Sequence, residues 1–229
     1  MIKRILLFAV ILGFAVNGQA QTGEDEWGAW YMYFGTNRVS DDLSIHSEAQ
    51  FRFYETASNF NQLLLRTGLN YHISEKAIAT LGYGFISTDP TFLDTPGEKN
   101  SKENRIFQQF ILLNTSGKFK FEHRYRLEQR FINTVVGNNI TEHRARYRLQ
   151  VTYPINERWF LNAYDEVFIN LQEPIFGQNR LYGAVGYKAC NNLSIQLGYL
   201  KNHFTGINFD RLQLGVFFNT DLRPKNEED

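Results

Sequence analysis

Cysteine is nearly missing from this chain. Cys190 is the one example, so no intrachain disulfide can form. A chain of 229 residues can bury its own core without such a staple, so an oxidising compartment stays permitted. Net charge is missing too: 24 Lys and Arg balance 24 Asp and Glu, which removes any electrostatic case for nucleic acid as a partner. Only five prolines interrupt the chain. No zinc-ligand spacing, glycine-rich phosphate loop or nucleophile elbow is present, so neither a metal nor a cofactor is expected. Cys190 stands beside Asn191-Asn192, which reads as a turn, with no His or Asp patterned around it.

The long apolar run is confined to the first residues. Lys3 and Arg4 precede the run Ile5 to Val16, and Asn17-Gly18-Gln19-Ala20 follows with small residues where a signal peptidase reads them. This is the layout of a secretory signal peptide, cleaved after Ala20, with residues 21–229 as one mature domain. A membrane-spanning helix is the competing reading. It needs about 20 apolar residues, and this run is too short.

Aromatic residues are abundant, at 15% of the chain. Aromatic enrichment with little proline favours strands. From Trp27 onward the apolar period is two. In 43–55, Leu43, Ile45, Ala49, Phe51 and Phe53 alternate with Ser44, His46, Glu48, Gln50 and Arg52. Segments 119–131 and 141–153 repeat the pattern, and weaker copies lie at 27–36, 60–73, 77–88, 103–114, 159–170, 178–188, 193–202 and 208–219. Such alternation makes strands with one apolar and one polar face. Most of these segments run to 10–13 residues, the length of tilted strands crossing a bilayer (about 9–11) and not of soluble strands (about 5–6). Short links at 74–76, 116–118, 154–158 and 189–192 alternate with longer ones, above all 88–102. Short turns at one end and long loops at the other fit an outer-membrane barrel with extracellular loops.

The expected fold is therefore all-β: a single antiparallel transmembrane-type barrel of about 10–12 strands. The segments number eleven, whereas single-chain bacterial barrels have even numbers. Either 27–36 is not a full strand, or one long segment is bent into two. The last segment carries Gln213, Gly215 and Phe218, loosely like a barrel insertion signal, before a charged tail at 221–229.

Two features assign the faces. Tyr71, Phe119, Tyr153, Trp159 and Tyr187 gather on the apolar face beside the short turns, as a periplasmic aromatic girdle would. Lysines sit mostly in turns and tails, whereas Arg52, Arg66, Arg105, Arg180, Arg211 and the arginines of 119–153 sit within strands. The planar guanidinium suits an enclosed, hydrogen-bonded interior. A soluble lipocalin-like barrel, with the apolar face inward, is the alternative fold.

Several strings carry a family resemblance. Glu103-Asn104-Arg105 with Gln108-Gln109 and the run Arg124-Tyr125-Arg126-Leu127-Glu128-Gln129-Arg130 resemble the domain-of-unknown-function family 2490. So do Arg144-Ala145-Arg146-Tyr147-Arg148, Tyr164-Asp165-Glu166-Val167-Phe168 and Asn179-Arg180. The resemblance spans about Trp27 to Phe218 and implies an outer-membrane barrel without an established activity. It transfers no functional residue.

The strongest constellation is the polar face of 119–131 and 141–153. It holds Lys120, Arg124, Arg126, Arg130, Arg144, Arg146 and Arg148 against Glu122, Glu128 and Glu142, with Glu48, Glu103 and Glu166 available from other strands. One reading is a paired network that fills and stiffens a narrow barrel. Another is an arginine-lined path or pocket for an anionic solute or a lipopolysaccharide phosphate, with outer-membrane lipid as the surrounding partner. A lipid hydrolase is the third. Ser44, His46 and Glu48 share one face, but same-face neighbours on a strand stand almost 7 Å apart, too far for a nucleophile–base hydrogen bond. His72, beside a turn, reads as a solvated or capping residue, and His123 and His143 fall on the apolar register.

Overall fold

The computed structural model describes residues 23–92 and 100–223. The signal-peptide segment, the tip of the 88–102 loop and the end of the tail lie outside the described residues. Eleven strands follow one another: β1 (Trp27–Arg38), β2 (Leu43–Phe53), β3 (Phe60–Ser74), β4 (Ala77–Thr88), β5 (Ser101–Ser116), β6 (Phe119–Asn133), β7 (Asn139–Pro154), β8 (Trp159–Asn170), β9 (Phe176–Cys190), β10 (Leu193–Phe204) and β11 (Ile207–Asp221). Each pairs antiparallel with its chain neighbour, and the sheet closes into a barrel. Every strand has 11–16 residues, so the long alternating segments are continuous strands.

Closure corrects one expectation. Residues 27–38 form a complete strand, no segment splits in two, and the strand number is odd. An odd up-and-down meander leaves its first and last strands pointing the same way, so they can close only as a parallel pair. β1 and β11 do so, in register from Trp27 opposite Asp210 to Arg38 opposite Asp221. Odd strand numbers are already known in mitochondrial barrels. A parallel ladder is slightly less stable per residue, and side-chain contacts reinforce this one. Phe34 stacks on Phe217 at 4.8 Å, Thr220 donates to Asn37 Oδ1 at 2.6 Å, and Leu222 N donates to the Arg38 carbonyl at 2.8 Å.

The connections segregate largely as their lengths foretell. Links at 39–42, 75–76, 117–118, 155–158 and 191–192 share one end, whereas 54–59, 89–100, 134–138, 171–175 and the tight Thr205-Gly206 turn share the other. β1 therefore starts at the loop end and β11 finishes at the turn end.

Burial is inverted relative to a soluble barrel. Among the described residues, nineteen buried side chains are polar or charged and ten are apolar. Outward positions carry the exposed apolar residues, such as Leu69, Leu81, Tyr125, Leu127 and Leu197. The apolar stripe therefore faces out, against a lipocalin-like arrangement. The aromatic set beside the short turns is also outward: Phe119 meets Tyr153 at 5.1 Å and Trp159 meets Tyr187 at 4.8 Å between ring centres.

Glycines on the inner face make room for rings. A Cβ on Gly82 would stand 2.2 Å from the Phe107 ring, and one on Gly186 would stand 2.1 Å from the Phe160 ring. Gly186→Val should displace Phe160 and cost about 1–3 kcal/mol, read as a lower urea midpoint for unfolding. An unchanged midpoint would mean that Phe160 has somewhere else to go.

Candidate functional site

The site grows from the β6–β7 hairpin, whose polar faces both point inward. Its register sets Arg126 opposite Arg146 and Arg124 opposite Arg148, while Glu128 faces Arg144 and Arg130 faces Glu142. Like charges directly opposite are destabilising, so each arginine pair needs carboxylates from elsewhere. Glu128, with 1% of its surface exposed, receives Arg144 at 2.6 Å and Arg146 at 2.7 Å, with Arg105 at 3.5 Å and Arg126 at 3.7 Å. Glu166 on β8 receives Arg124 and Arg146, each at 2.7 Å. Glu103 on β5 takes Arg130 at 2.9 Å and Arg105 at 2.6 Å. Arg148 pairs with Glu122, and Arg130 also pairs with Glu142. Eight of the ten residues singled out are thus linked through shared partners, with Arg105 and Glu103 as bridges, while Arg148 and Glu122 form a pair of their own. Glu48 stands apart from these and holds Arg66 at 2.9 Å. Lys120 is exposed near the turn end.

Rings form the second part of the lining, which the alternation of charges did not reveal. The guanidinium carbons of Arg146, Arg180 and Arg144 lie 4.1, 4.7 and 5.1 Å from the Phe168 ring centre. Arg126 lies 4.8 Å over Phe107. Arg52 and Arg180 approach Trp30 at 3.7 and 4.9 Å. Such contacts accommodate desolvated cations that lack a carboxylate. The available signal was parity: Phe168 shares the inward register of Glu166, and Phe107 that of Arg105.

Among the described residues the inward charge is not balanced. Eleven arginines point inward (Arg52, Arg66, Arg105, Arg180, Arg211 and the six of the hairpin), against six glutamates (Glu48, Glu103, Glu122, Glu128, Glu142 and Glu166). Among the described residues the surplus concentrates on three arginines. Arg52 donates only to the amide oxygens of Gln50 and Gln62. Arg211 donates only to the carbonyls of Glu26 and Asp210. Arg180 faces Glu166 across the β8–β9 ladder, but that carboxylate is taken by Arg124 and Arg146, and the buried Arg180 Nε has no partner. Open space adjoins these groups. A cavity of about 300 Å³ lies toward the loop end and another of about 470 Å³ toward the turn end. Trp30, Arg52, Arg66, Arg146 and Arg180 line both and form the waist between them.

Residues 27–213 match the family described as Protein of unknown function (DUF2490). The chain belongs to that family. No curated protein matches it. Among solved structures, the NanC porin in a rhombohedral crystal form is similar, with a TM-score of 0.51 and 10% identity over 83% of this chain and 97% of that one. At such identity the likeness concerns the fold alone.

This DUF2490 chain also rearranges the serine and histidines of β2. His46 contacts Glu48 at 3.2 Å, but Ser44 turns to His72 on β3, with Oγ and Nε2 2.8 Å apart. The Ser44–His46–Glu48 trio is thus not assembled, because cross-strand neighbours are nearer than same-face neighbours on one strand. His72, read as solvated or capping, is a hydrogen-bond partner instead. Asn70 also donates to Ser44 Oγ at 3.1 Å, and Ser44 is fully buried. The described residues contain no group of side chains suited to a metal ion. Cys190 ends β9, exposed, and its thiol donates to Asn192 Oδ1 at 2.9 Å.

Proposed function

We propose that this protein is an exported outer-membrane β-barrel whose lumen admits small anions past an arginine waist. One observation carries the reading: among the described residues eleven inward arginines face six glutamates, and three of those arginines form no ion pair with a carboxylate. Buried charge without a partner is costly, so an unbalanced lining favours an anion from solution. Arginine rings are one way in which anion-selective pores are built. The outward apolar stripe, the aromatic band beside the short turns and the signal-peptide layout support the address, as does the likeness to a porin fold.

The second reading is a closed, structural barrel. It draws on the Glu128 hub, where four guanidiniums converge on one fully enclosed carboxylate. Neither reading assigns a catalytic role. One purification tests address and function together. The mature protein should fractionate with outer membranes and migrate anomalously on gels until boiled. In planar bilayers it should conduct with anion preference, and Arg52→Gln with Arg180→Gln should weaken that preference. Recovery as a soluble periplasmic protein would sink the address. A folded barrel that stays silent in the bilayer would favour the structural reading.

A further inference from the structure

The three arginines that form no ion pair among the described residues are not scattered along the lumen. Arg52, Arg180 and Arg211 all line the loop-end cavity, and Trp30 lies between the first two. Their distances to that ring put the guanidinium carbons of Arg52 and Arg180 within about 9 Å of each other. Three buried polar atoms of residues on the same cavity wall lack hydrogen-bond partners: Arg66 Nε and Arg180 Nε, both donors, and Asn202 Oδ1, an acceptor. At the turn end the corresponding arginines, Arg124 and Arg148, are held by Glu166 and Glu122. The cavity thus has unspent donors and positive charge, with an acceptor for a ligand hydroxyl.

We infer that the loop-end cavity, with Arg52, Arg180, Arg211 and Asn202 as its contacts, binds a small soluble phosphate or phosphomonoester. This rests on the reading that the lumen admits anions, and deepens it to a site and a ligand class. Three guanidiniums are better matched by a dianion than by a single carboxylate or a halide, and tetrahedral oxygens can meet forks from several directions. The Asn202 carbonyl calls for a donor, which a protonated phosphate oxygen or a neighbouring hydroxyl supplies. A volume of about 300 Å³ leaves room for a short organic group on the phosphate. The lining residues are inward on their strands, so the barrel wall separates the site from any lipid headgroup outside.

Trp30 is one of three tryptophans, and Trp27→Phe with Trp159→Phe leaves it as the sole indole reporter beside two of the arginines. The folded mature protein in detergent is titrated with sodium phosphate and with glycerol phosphate, at ionic strength held constant with sodium chloride. The expected result is a saturable change in Trp30 emission for both ligands and no such change for chloride alone. Arg52→Gln with Arg180→Gln should weaken affinity about ten-fold or more, and Arg223→Gln, beyond the last strand, should leave it unchanged. Boiled and unboiled gel mobility confirms that each variant is folded. If the double variant does not fold, Arg180→Lys serves in its place: Arg180 makes no hydrogen bond that lysine would break, and loss of its fork should still weaken phosphate. A phosphate response no different from chloride, or folded variants that titrate like the parent, would overturn the site. Bilayer anion preference without saturable phosphate binding rejects this site and spares the broader reading. Saturable binding in a barrel that does not conduct keeps the site and rejects the conduit.

Discussion

Glu128→Gln is expected to destabilise the barrel by about 3–5 kcal/mol, the cost of removing one partner from a buried ion pair. The cause is concentration. Glu128 is fully enclosed and serves Arg144 at 2.6 Å, Arg146 at 2.7 Å, and Arg105 and Arg126 farther off. Glutamine keeps the shape but removes the countercharge of Arg144 and Arg126 and leaves Arg146 and Arg105 with one carboxylate each, Glu166 and Glu103. Arg126→Gln should behave differently. Arg126 Nη1 already lacks a hydrogen-bond partner, and its other nitrogens meet only Gln109, so its loss removes repulsion together with attraction. Urea titration of the refolded protein in lipid gives both values. Adding Arg146→Gln to Glu128→Gln should recover part of the loss, since the two act through one contact. A Glu128→Gln barrel with the parent's midpoint would mean that Glu166 and Glu103 suffice to hold the wall.

The outward face yields the second large effect. Leu127 lies midway along β6 with half its surface exposed, one residue from inward Arg126. Leu127→Arg should cost about 2–4 kcal/mol if the outward face meets lipid near the bilayer midplane. Leu149→Arg, across the hairpin from His123, should behave alike. The contrast with Arg126→Gln is the diagnostic, because adjacent residues on one strand answer to opposite environments. The assignment of faces fails if Leu127→Arg assembles in lipid like the parent while Arg126→Gln does not.

Much of this architecture is legible from local pattern. The alternation in 43–55, 119–131 and 141–153 depends only on successive side chains pointing to opposite faces, so strand identity, length and the inward set could be read before any contact was known. The ten charged residues of the hairpin wall follow from that parity. Closure does not, because eleven segments are compatible with a missing strand, an extra strand or a parallel seam. Only the pairing of Trp27–Arg38 with 210–221 selects among them. Ser44 illustrates the same limit. Sequence spacing suggests His46 two residues away, but the residue that reaches its hydroxyl is His72, brought across from the next strand.

The lining divides in the same way. Sequence alone determined that arginines and glutamates point into the barrel, since that needs only a period of two. The closed tertiary structure decided that Glu128 gathers four arginines, that Glu166 is taken by Arg124 and Arg146, and that Arg52, Arg180 and Arg211 form no ion pair among the described residues. The physical reason is distance. Which face a side chain takes is settled within its own strand, whereas the partner it finds there depends on residues that only closure brings within a few ångströms.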